Sequence, residues 1–445
     1  MKQSHYDTII IGAGPGGLSA AFDLSQQQSV LIIENDLWGG TCPNRGCDPK
    51  KMLYSAVETK QRQESLSGFG LTGNTTINWP ELMAFKSSYT DSVPANTLAG
   101  LSGSNITTVY GSAKFISETE ISINDAVYSA DNFIIATGQS PVIPNITGQQ
   151  FLKTSTEFLS LKSLPEKMVF IGAGYVSIEL ANIAAAAGAE VHIIQHNNQI
   201  LREFPTIYTN RLIDNLKNGG IHFHFDTTVT EVRKINSGYL LLGDNELDLT
   251  VDLAISALGR HPNVDTLNLP VAGVEVNSHG IVVDDHLTTS NEHIYTVGDV
   301  ISRKQPKLTP VSTFEGHYVS NQLLGQSTHA ISYPPIPVTV YASPQLSQVG
   351  ISLEQAQRDP EHYEVRTQDT TKWYTFNRIK EPEAYVTTIF NKSTHLLVGA
   401  VAYTTIAEEL INYLTPLIAN KTPKSAVDQL IFAYPTPASD LDYYL

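Results

Sequence analysis

The sequence predicts an α/β protein built on two Rossmann-like three-layer nucleotide-binding domains. Three observations indicate this fold. The chain has 445 residues, which is enough for roughly three domains at about 150 residues each. Two segments share one pattern of apolar strand, glycine turn, helix and second strand, and their first glycines, Gly12 and Gly172, are 160 positions apart. The strands of both segments are continuous apolar runs, which is typical of parallel sheets covered on both faces.

The composition fits a packed globular chain and excludes several classes of protein. Apolar residues make up 41% and charged residues 16%, which argues against long disordered segments. The formal net charge is −16, and an acidic surface repels phosphate backbones, so no nucleic-acid partner is expected. No apolar run approaches the roughly 18 residues of a membrane helix, and the N-terminus has no cleavable signal pattern. We therefore expect a cytoplasmic protein without a membrane partner.

The first segment, residues 6–35, carries a dinucleotide-binding pattern. Gly12, Gly14 and Gly17 form G-x-G-x-x-G where the first strand meets the helix. The first glycine permits the tight turn, the second lets a pyrophosphate approach the backbone, and the third allows close helix packing. The helix N-terminus then faces the phosphates with unpaired N–H groups. Glu34 ends the next strand, where a carboxylate can bind the ribose hydroxyls of an adenosine.

The second segment, residues 167–197, repeats this pattern with two changes. It keeps Gly172 and Gly174 but has Ser177 at the third position, and serine is still small enough for close packing. Gln195 stands where the first segment has its acid. A carboxylate there would select a free ribose 2′-hydroxyl and repel a 2′-phosphate, whereas a glutamine does neither strongly.

The nucleotide preference of the second segment therefore depends on the residues around Gln195. His196 and Arg202 follow it closely and could favour a 2′-phosphate. This slightly favours NADPH, with NADH as the other possibility. The competing interpretation is that His196 and Arg202 are ordinary solvated surface residues.

The chain holds only two cysteines, Cys42 and Cys47, five positions apart in WGGTCPNRGCDPKK. A zinc site would need two further ligands at partner spacing, and because no second cysteine pair exists, no metal site is predicted. A structural disulfide would be reduced in the cytosol, where a close cysteine pair is more often catalytic. We therefore interpret the pair as redox-active.

The cysteine segment carries a family resemblance. GGTC-x-N-x-G-C-x-P-x-K, downstream of the first glycine motif, resembles the class I pyridine nucleotide–disulfide oxidoreductases, which include glutathione reductase, dihydrolipoamide dehydrogenase, trypanothione reductase and mercuric reductase. The resemblance covers nearly the whole chain. Further matching segments follow in the family's order: IIATG (134–138), SALGRHPN (256–263), IYTVGDV (294–300), KLTPVSTFEG (307–316) and the region from Pro334 onward.

The resemblance implies a domain layout and an oligomeric state. It places a split FAD-binding domain at residues 1–140 and 261–330, an NAD(P)-binding domain at 141–260, and an α+β dimerisation domain at 331–445. It also implies a homodimer in which the C-terminal segment of one subunit completes the active site of the other.

The resemblance further implies FAD and NADPH as cofactors, with NADH possible. The residues that match the family's cofactor-binding positions are Gly12, Gly14, Gly17, Glu34, Gly40, Thr41, Thr137, Gly138, Gly172, Gly174, Tyr175, Gln195, His196, Arg202, Gly259, Arg260, Gly298 and Asp299.

The resemblance assigns different roles to the two cysteines. Cys47 would lie next to the flavin as the charge-transfer thiolate, and Cys42 would be the interchange thiol that attacks the substrate. Asp48 follows Cys47 directly, where the family usually has an apolar residue. A carboxylate beside a thiolate raises the pKa of the thiol unless the acid points away. The alternative is that Asp48 is a helix N-terminal acid that serves the macrodipole.

Three further residue types complete the implied reductive half of the site. Tyr175 matches the aromatic residue that gates the nicotinamide pocket. Glu179 matches the acid that pairs with a lysine close to the flavin. Either Lys50 or Lys51 could be that lysine, because both follow Cys47 within about one helical turn.

The chain departs from the family at its C-terminus. The family has H-P-T-x-x-E, in which the histidine is the acid–base for thiol exchange, but this chain has Tyr434, Thr436 and Ser439 at the corresponding positions. No histidine lies beyond His395. A phenol with an ordinary pKa near 10 is a poor general base at neutral pH, although it could donate a hydrogen bond to a leaving thiolate.

Three functions are compatible with this pattern. The first is a disulfide reductase that uses Tyr434 in place of the usual base. The second is a reductase of metal ions, such as copper or mercury, or of oxidants, with the same cysteine pair. The third is a flavin redox sensor without turnover, which the intact Cys42 and Cys47 pair disfavours.

Overall fold

The computed structural model describes residues 4–445. Apolar and β-branched runs of the sequence form its strands. The strands in chain order are β1 (Ser4–Ile11), β2 (Val30–Glu34), β3 (Thr107–Tyr110), β4 (Lys114–Phe115), β5 (Glu120–Ile123), β6 (Ala126–Ile135), β7 (Gln139–Pro141), β8 (Lys167–Ile171), β9 (Glu190–Ile194), β10 (Ile221–His224), β11 (Val229–Ile235), β12 (Gly238–Gly243), β13 (Asp248–Val251), β14 (Leu253–Ser256), β15 (Arg260–Pro262), β16 (Val276–Asn277), β17 (Gly280–Ile281), β18 (Ile294–Thr296), β19 (Val338–Val340), β20 (Gln345–Gly350), β21 (Tyr363–Asp369), β22 (Tyr385–Asn391) and β23 (Leu397–Thr404).

Helices lie in about a third of the connections between these strands, and several begin directly after a glycine or at a proline. The helices are α1 (Pro15–Leu24), α2 (Thr41–Arg45), α3 (Cys47–Ser65), α4 (Trp79–Thr90), α5 (Val93–Gly103), α6 (Ser155–Phe158), α7 (Tyr175–Ala186), α8 (Thr206–Asn218), α9 (Thr309–Leu323), α10 (Leu353–Arg358), α11 (Tyr374–Asn377), α12 (Ala407–Ala419), α13 (Lys424–Val427) and α14 (Leu441–Tyr444), with 3₁₀ turns at Gln149–Phe151, Leu269–Ala272, Gly298–Val300 and Pro437–Asp440.

The chain divides into two units. The first unit comprises residues 4–50, Ala84–Val142 and Gly259–Ser332, and the second comprises Lys51–Met83, Ile143–Leu258 and Tyr333–Leu445. These two units are defined by compactness, whereas the sequence predicts three functional domains, so the predicted domain boundaries stay a prediction.

A largely parallel sheet organises the first unit. Its strand order is β3-β2-β1-β6-β5-β4, and β18 also pairs with β6. The register aligns the carboxyl ends of β1, β2 and β6 at Ile11, Ile33 and Ile135. In open α/β sheets, ligands bind in the crevice outside these carboxyl ends, and the first glycine turn lies there.

Both faces of this sheet are buried, as the continuous apolar runs predict. Ile9 and Leu31 point into one core, whereas Ile10 and Ile32 point into the other. The second core also contains Ala20, Ala21 and Leu24 of α1 and Val319 of α9. Helices α1 and α9 therefore cover the face of the sheet that carries Ile10 and Ile32, and the sheet forms the middle of three layers.

The second unit contains the repeated fold and a further sheet. Parallel strands in the order β10-β9-β8-β14 surround the second glycine turn, next to the three-stranded sheet β11-β12-β13. The C-terminal region forms an antiparallel sheet in the order β19-β20-β23-β22-β21. Helix α12 buries Leu410, Ile411 and Leu414 against it.

These sheets confirm the predicted fold class of two Rossmann-like three-layer domains with an added α+β domain. Within residues 4–445, no helix combines the length and the apolar character needed to cross a bilayer.

Candidate active site

The turn between α2 and α3 brings the two cysteines together. Cys42 lies in α2, and Cys47 is the first residue of α3. Gly46 joins the two helices, and a Cβ at this position would lie 2.9 Å from the carbonyl oxygen of Thr41 and 3.1 Å from the Cα of Cys42. The absence of a side chain therefore permits the tight approach, and the two sulfur groups are hydrogen-bonded to each other.

This hydrogen bond makes the two thiols unequal. It is the largest cause of a raised pKa at Cys42, followed by burial and by negative charge on Cys47. Cys42 is therefore the thiol of the pair that keeps its proton. Cys47 lies at the N-terminus of α3, where the helix macrodipole favours a thiolate, and its sulfur is 3.8 Å from the Thr309 hydroxyl oxygen.

Asp48 faces the cysteines and does not point away from them. Its Oδ1 accepts a hydrogen bond from the Cys42 thiol at 3.8 Å, and its Oδ2 accepts one from the Tyr89 hydroxyl at 2.6 Å. The hydrogen bond to Asp48 is the main reason that the pKa of Tyr89 is raised to about 12. Asp48 is thus both an acid in the first turn of α3 and a direct neighbour of the Cys42 thiol.

The first glycine motif forms a surface that only backbone can line. Gly12 has φ +110°, and a Cβ there would lie 2.4 Å from the carbonyl oxygen of Ala136. Gly40 has φ +72°, and a Cβ there would lie 2.5 Å from the Cα of Gly14. The turn leads into α1 at Pro15, one residue after Gly14. This side-chain-free cradle at a helix N-terminus fits a pyrophosphate.

Glu34 is held beside this cradle. Its side chain is buried, and its Oε2 accepts a hydrogen bond from the backbone N–H of Ala13 at 3.0 Å. Its Oε1 accepts bonds from the backbone N–H groups of Asn35 and Asp36, each at 2.9 Å. The carboxylate is therefore fixed at the carboxyl end of β2, where it fits the ribose of an adenosine.

A charged cluster lies beyond the carboxyl end of β18. Burial raises the pKa of Asp299, and the charges of Lys307 and Arg260 oppose that rise. Glu315 is buried and accepts a hydrogen bond from the Gly298 N–H at 2.7 Å. A crevice lined by Gly298, Asp299, Lys307 and Glu315 suits a polar, hydroxyl-bearing chain such as that of a flavin nucleotide.

Residues 137–139 and 259–263, from two of the segments that resemble the family, lie side by side in the first unit. The Thr137 hydroxyl donates to the Asn263 carbonyl, and the Asn263 amide donates to the Thr137 carbonyl, each at 2.8 Å. Gly138 in the first of these segments and Gly259 in the second have φ +65° and +101°. Arg260 donates to the Gln139 carbonyl at 2.6 Å. Thr41, the remaining predicted residue of this set, begins α2 next to Gly40.

The second glycine motif repeats the steric logic of the first. Gly172 has φ +103°, and a Cβ there would lie 2.6 Å from the Ala257 carbonyl oxygen, whereas a Cβ at Gly174 would meet open space. Tyr175 begins α7 and packs edge-on against Phe204 with ring centroids 5.8 Å apart. Burial raises the pKa of its phenol, so the hydroxyl stays protonated at neutral pH.

Glu179 lies one turn farther along α7 and is buried. Its Oε1 accepts a hydrogen bond from the backbone N–H of Tyr341 at 2.9 Å. The carboxylate is therefore held in a fixed position within the second unit.

Gln195 is turned into its own loop. Its amide nitrogen donates to the Asn197 side-chain oxygen at 2.9 Å and to the Gln199 carbonyl at 3.0 Å. The His196 ring is 3.2 Å from the Asn197 amide nitrogen, and Arg202 is exposed. The loop after β9 thus carries basic groups near its surface and no acid at the Gln195 position.

Lys51 is fully engaged within the second unit. Its Nζ lies 3.1 Å from Glu58 and 3.0 Å from Glu408, and it stands over the rings of Tyr54 and Tyr341 at 4.9 and 4.4 Å. The charge of Lys51 is therefore matched by two carboxylates of its own unit.

The C-terminal segment uses its polar residues locally. Thr436 and Ser439 form a reciprocal cap of the 3₁₀ turn Pro437–Asp440, so the serine at the family's glutamate position serves the backbone. Tyr434 is 79% exposed.

Several site residues were not predicted individually from the sequence. Thr309, Lys307 and Glu315 lie in the segment 307–316 that the family resemblance selected, so its motif was the available signal. Tyr89 had no such signal, because only the packing of α4 brings it to Asp48. Within residues 4–445, no cluster of three or more His, Cys, Asp or Glu side chains is arranged to hold a metal ion.

Comparisons with known proteins match this architecture. Residues 6–316 match the family model described as pyridine nucleotide-disulphide oxidoreductase, and residues 336–442 match the dimerisation domain of that family. A glutathione reductase of Burkholderia cepacia is 30% identical over 446 residues, which cover 99% of this chain and 98% of the relative. A dihydrolipoyl dehydrogenase of Bacillus subtilis is 28% identical over 445 residues, which cover 97% of this chain and 93% of the relative.

A solved structure shares the fold. The HOCl-induced flavoprotein disulfide reductase RclA from Escherichia coli matches with a TM-score of 0.89 at 24% identity, over 98% of this chain and 99% of that chain. A Cu(II) complex of the same protein also matches with a TM-score of 0.89. At this identity the likeness shows the fold alone.

Replacement of Gly12 by alanine tests the nucleotide cradle. A positive φ costs a non-glycine residue about 1–3 kcal/mol, and the added Cβ would also overlap the Ala136 carbonyl. Since about 1.4 kcal/mol corresponds to tenfold in a dissociation constant, Gly12→Ala should weaken flavin retention by about tenfold or more, as measured by flavin fluorescence after dialysis. The control is Gly103→Ala at the end of α5, where a Cβ meets nothing within 4 Å. Equal flavin retention in the two variants would contradict the assignment.

Proposed function

The chain belongs to the pyridine nucleotide-disulphide oxidoreductase family, and on that premise we propose that it passes electrons from NADPH through FAD to Cys42 and Cys47 and on to a disulfide substrate. The family consists of FAD-dependent enzymes that use NAD(P)H, so the chain is an NAD(P)H-dependent flavoprotein oxidoreductase. The observation that carries the finer proposal is the direct hydrogen bond between the two cysteine sulfur groups.

The first unit offers a fitting site for FAD. The glycine cradle would take the pyrophosphate, Glu34 the adenosine ribose and Asp299 the ribityl chain. When bound, FAD would carry the electron pair of the nicotinamide to the cysteine disulfide. The protein's own part is to hold Cys47 as the thiolate at the start of α3, with the Thr309 hydroxyl close to its sulfur.

Cys42 is the proposed interchange thiol. Its raised pKa means that it holds its proton at neutral pH until an acceptor disulfide arrives. Attack by the Cys42 sulfur would form a mixed disulfide, break the substrate S–S bond and release one thiolate, which takes up the proton that Cys42 loses. Attack by the Cys47 thiolate on Cys42 would then restore the internal disulfide and release the second.

Tyr434 is proposed to assist the first leaving thiolate. A phenol hydroxyl donates a hydrogen bond readily but accepts a proton poorly at neutral pH, so Tyr434 would act as a donor and not as a base. Its exposure in the single chain leaves the hydroxyl available to a second subunit. We therefore propose a homodimer, for which the matched dimerisation domain gives support.

NADPH is the proposed electron donor. Gln195 places no negative charge at the end of β9, and His196 and the exposed Arg202 lie in the loop that follows it. The ratio of kcat/KM for NADPH to that for NADH measures this preference, and a ratio below one would reject it.

A cytoplasmic location is proposed because a cysteine pair that must be reduced in each cycle suits a reducing compartment.

Replacement of Cys42 by serine tests the interchange role. Cys42→Ser should lower NADPH-dependent reduction of a small disulfide by at least about a hundredfold, because the attacking sulfur is gone, while bound flavin and slow oxygen-dependent NADPH oxidation remain. Steady-state assays with hydroxyethyl disulfide, copper(II) and mercury(II) ions make the measurement. Wild-type rates with the disulfide would overturn the role. Loss with the disulfide but full rates with a metal ion would indicate direct metal reduction.

Paired methionine variants separate the two lysines. Lys50→Met should slow flavin reduction by NADPH about tenfold or more, since a cation near developing negative charge stabilises the transition state. Lys51→Met should leave that rate near the wild-type value and lower the thermal midpoint of unfolding, because Glu58 and Glu408 would lose their shared cation. Stopped-flow absorbance and calorimetry measure the two effects. The reverse pattern would assign the flavin-proximal role to Lys51.

A further inference from the structure

Asp48 places a carboxylate against the thiol that attacks the substrate. Its Oδ1 is 3.8 Å from the Cys42 sulfur, and its Oδ2 is 2.6 Å from the Tyr89 hydroxyl oxygen. Both of these donors are neutral, so neither cancels the charge of the acid. The Arg45 guanidinium, three residues earlier in the chain, pairs with Asp36. The acceptor therefore approaches Cys42 past a negative charge.

This charge acts on each stage of thiol exchange. A carboxylate beside a thiol favours the protonated form over the thiolate. It also repels an anionic disulfide on approach and an anionic fragment that stays nearby after the S–S bond breaks. The whole chain adds to this repulsion at long range, because its formal net charge is −16.

A positively charged substrate reverses each of these effects. A cation that comes to rest beside Asp48 is attracted to it and offsets the electrostatic cost of forming the Cys42 thiolate. The same cation also stabilises the thiolate that leaves. At separations of about 4–6 Å in a dielectric close to that of water, one such charge changes a rate by roughly three- to sixfold. Because the charge speeds a cation and slows an anion, the ratio of the two rates then changes by roughly tenfold or more.

We propose that Asp48 selects a disulfide whose carbon skeleton carries a positive charge close to the sulfur atoms, an inference that rests on the proposed function. The Cys42 proton is lost, a Cys42–S–S–R bond forms, the substrate S–S bond breaks, and one R–S⁻ leaves and is protonated. The Cys47 thiolate then attacks the Cys42 sulfur, the internal disulfide forms, and the second R–S⁻ leaves. The electron pair comes from NADPH. Asp48 touches the reacting sulfur, and Tyr89 is a positioning residue that acts through Asp48.

The chain allows a test on a single thiol. Because it contains only two cysteines, the flavin-loaded Cys47→Ser variant presents Cys42 alone. Methanethiosulfonate reagents that carry a trimethylammonium, a neutral methyl or a sulfonate group each transfer their thiol fragment to Cys42 and release methanesulfinate. The measured quantity is the ratio of the second-order rate constants for the cationic and anionic reagents.

The expected result is a ratio that depends on Asp48. In the Cys47→Ser background, Asp48→Asn should lower the ratio by roughly tenfold, and Asp48→Glu should largely retain it. Tyr89→Phe should change it in part, since it removes one hydrogen bond that orients the carboxylate. The matched control is Asp131→Asn, which removes an exposed carboxylate of the same unit. A ratio that is unchanged in Asp48→Asn, or that falls equally in Asp131→Asn, overturns the proposal.

Turnover assays carry the inference to the substrate. With both cysteines present, the wild type should reduce cystamine with a higher kcat/KM than dithiodiglycolate, and Asp48→Asn should narrow that gap by roughly tenfold. An unchanged gap overturns the proposal. The modification assay needs neither NADPH nor turnover, so its outcome is independent of the electron relay. If Cys42→Ser keeps wild-type rates with the disulfide while the reagent ratio still depends on Asp48, the relay is rejected and the charge selection at Cys42 is retained.

Discussion

The hydrogen bond between the Cys42 and Cys47 sulfur groups is the interaction on which the proposed chemistry depends. It exists because Gly46 lets α2 and α3 meet without a side chain between them. It divides one function between two thiols that would otherwise be alike: Cys47 can hold negative charge at the start of a long helix, and Cys42 keeps its proton. Burial strengthens the division, because a thiolate in the half-buried position of Cys42 would be poorly solvated.

The parallel sheet of the first unit supplies the frame for this pair. Its strands end in register, so the glycine turn after β1 and the carboxylate at the end of β2 lie at the same edge. Backbone N–H groups fix Glu34, and the steric demands of Gly12 and Gly40 keep the cradle empty of side chains. The nucleotide site is thus made mostly of backbone, which a sequence motif can specify closely.

Features that depend on local sequence could be predicted, whereas features that depend on distant contacts could not. The two glycine repeats and their strands follow from periodicity and turn chemistry, which are local properties. Lys51 pairs with Glu408, more than 350 positions away in the chain, so no local pattern could predict that contact. Tyr89 reaches Asp48 only through the packing of α4. Asp48 itself was conspicuous as a departure from the family, but its direction was not predictable, because a residue at a helix start can face either solvent or the preceding turn.

We propose that electrons from the nicotinamide reach the cysteine pair, and anaerobic titration with NADPH, and separately with NADH, tests this relay. Absorbance would be followed through the flavin bands and to longer wavelengths. We expect a long-wavelength thiolate-to-flavin band to appear in the wild type with the first equivalent of NADPH, and to be absent in Cys47→Ser. Bleaching of the flavin without that band in the wild type would mean that electrons stop before the cysteines, and would contradict the proposed electron relay.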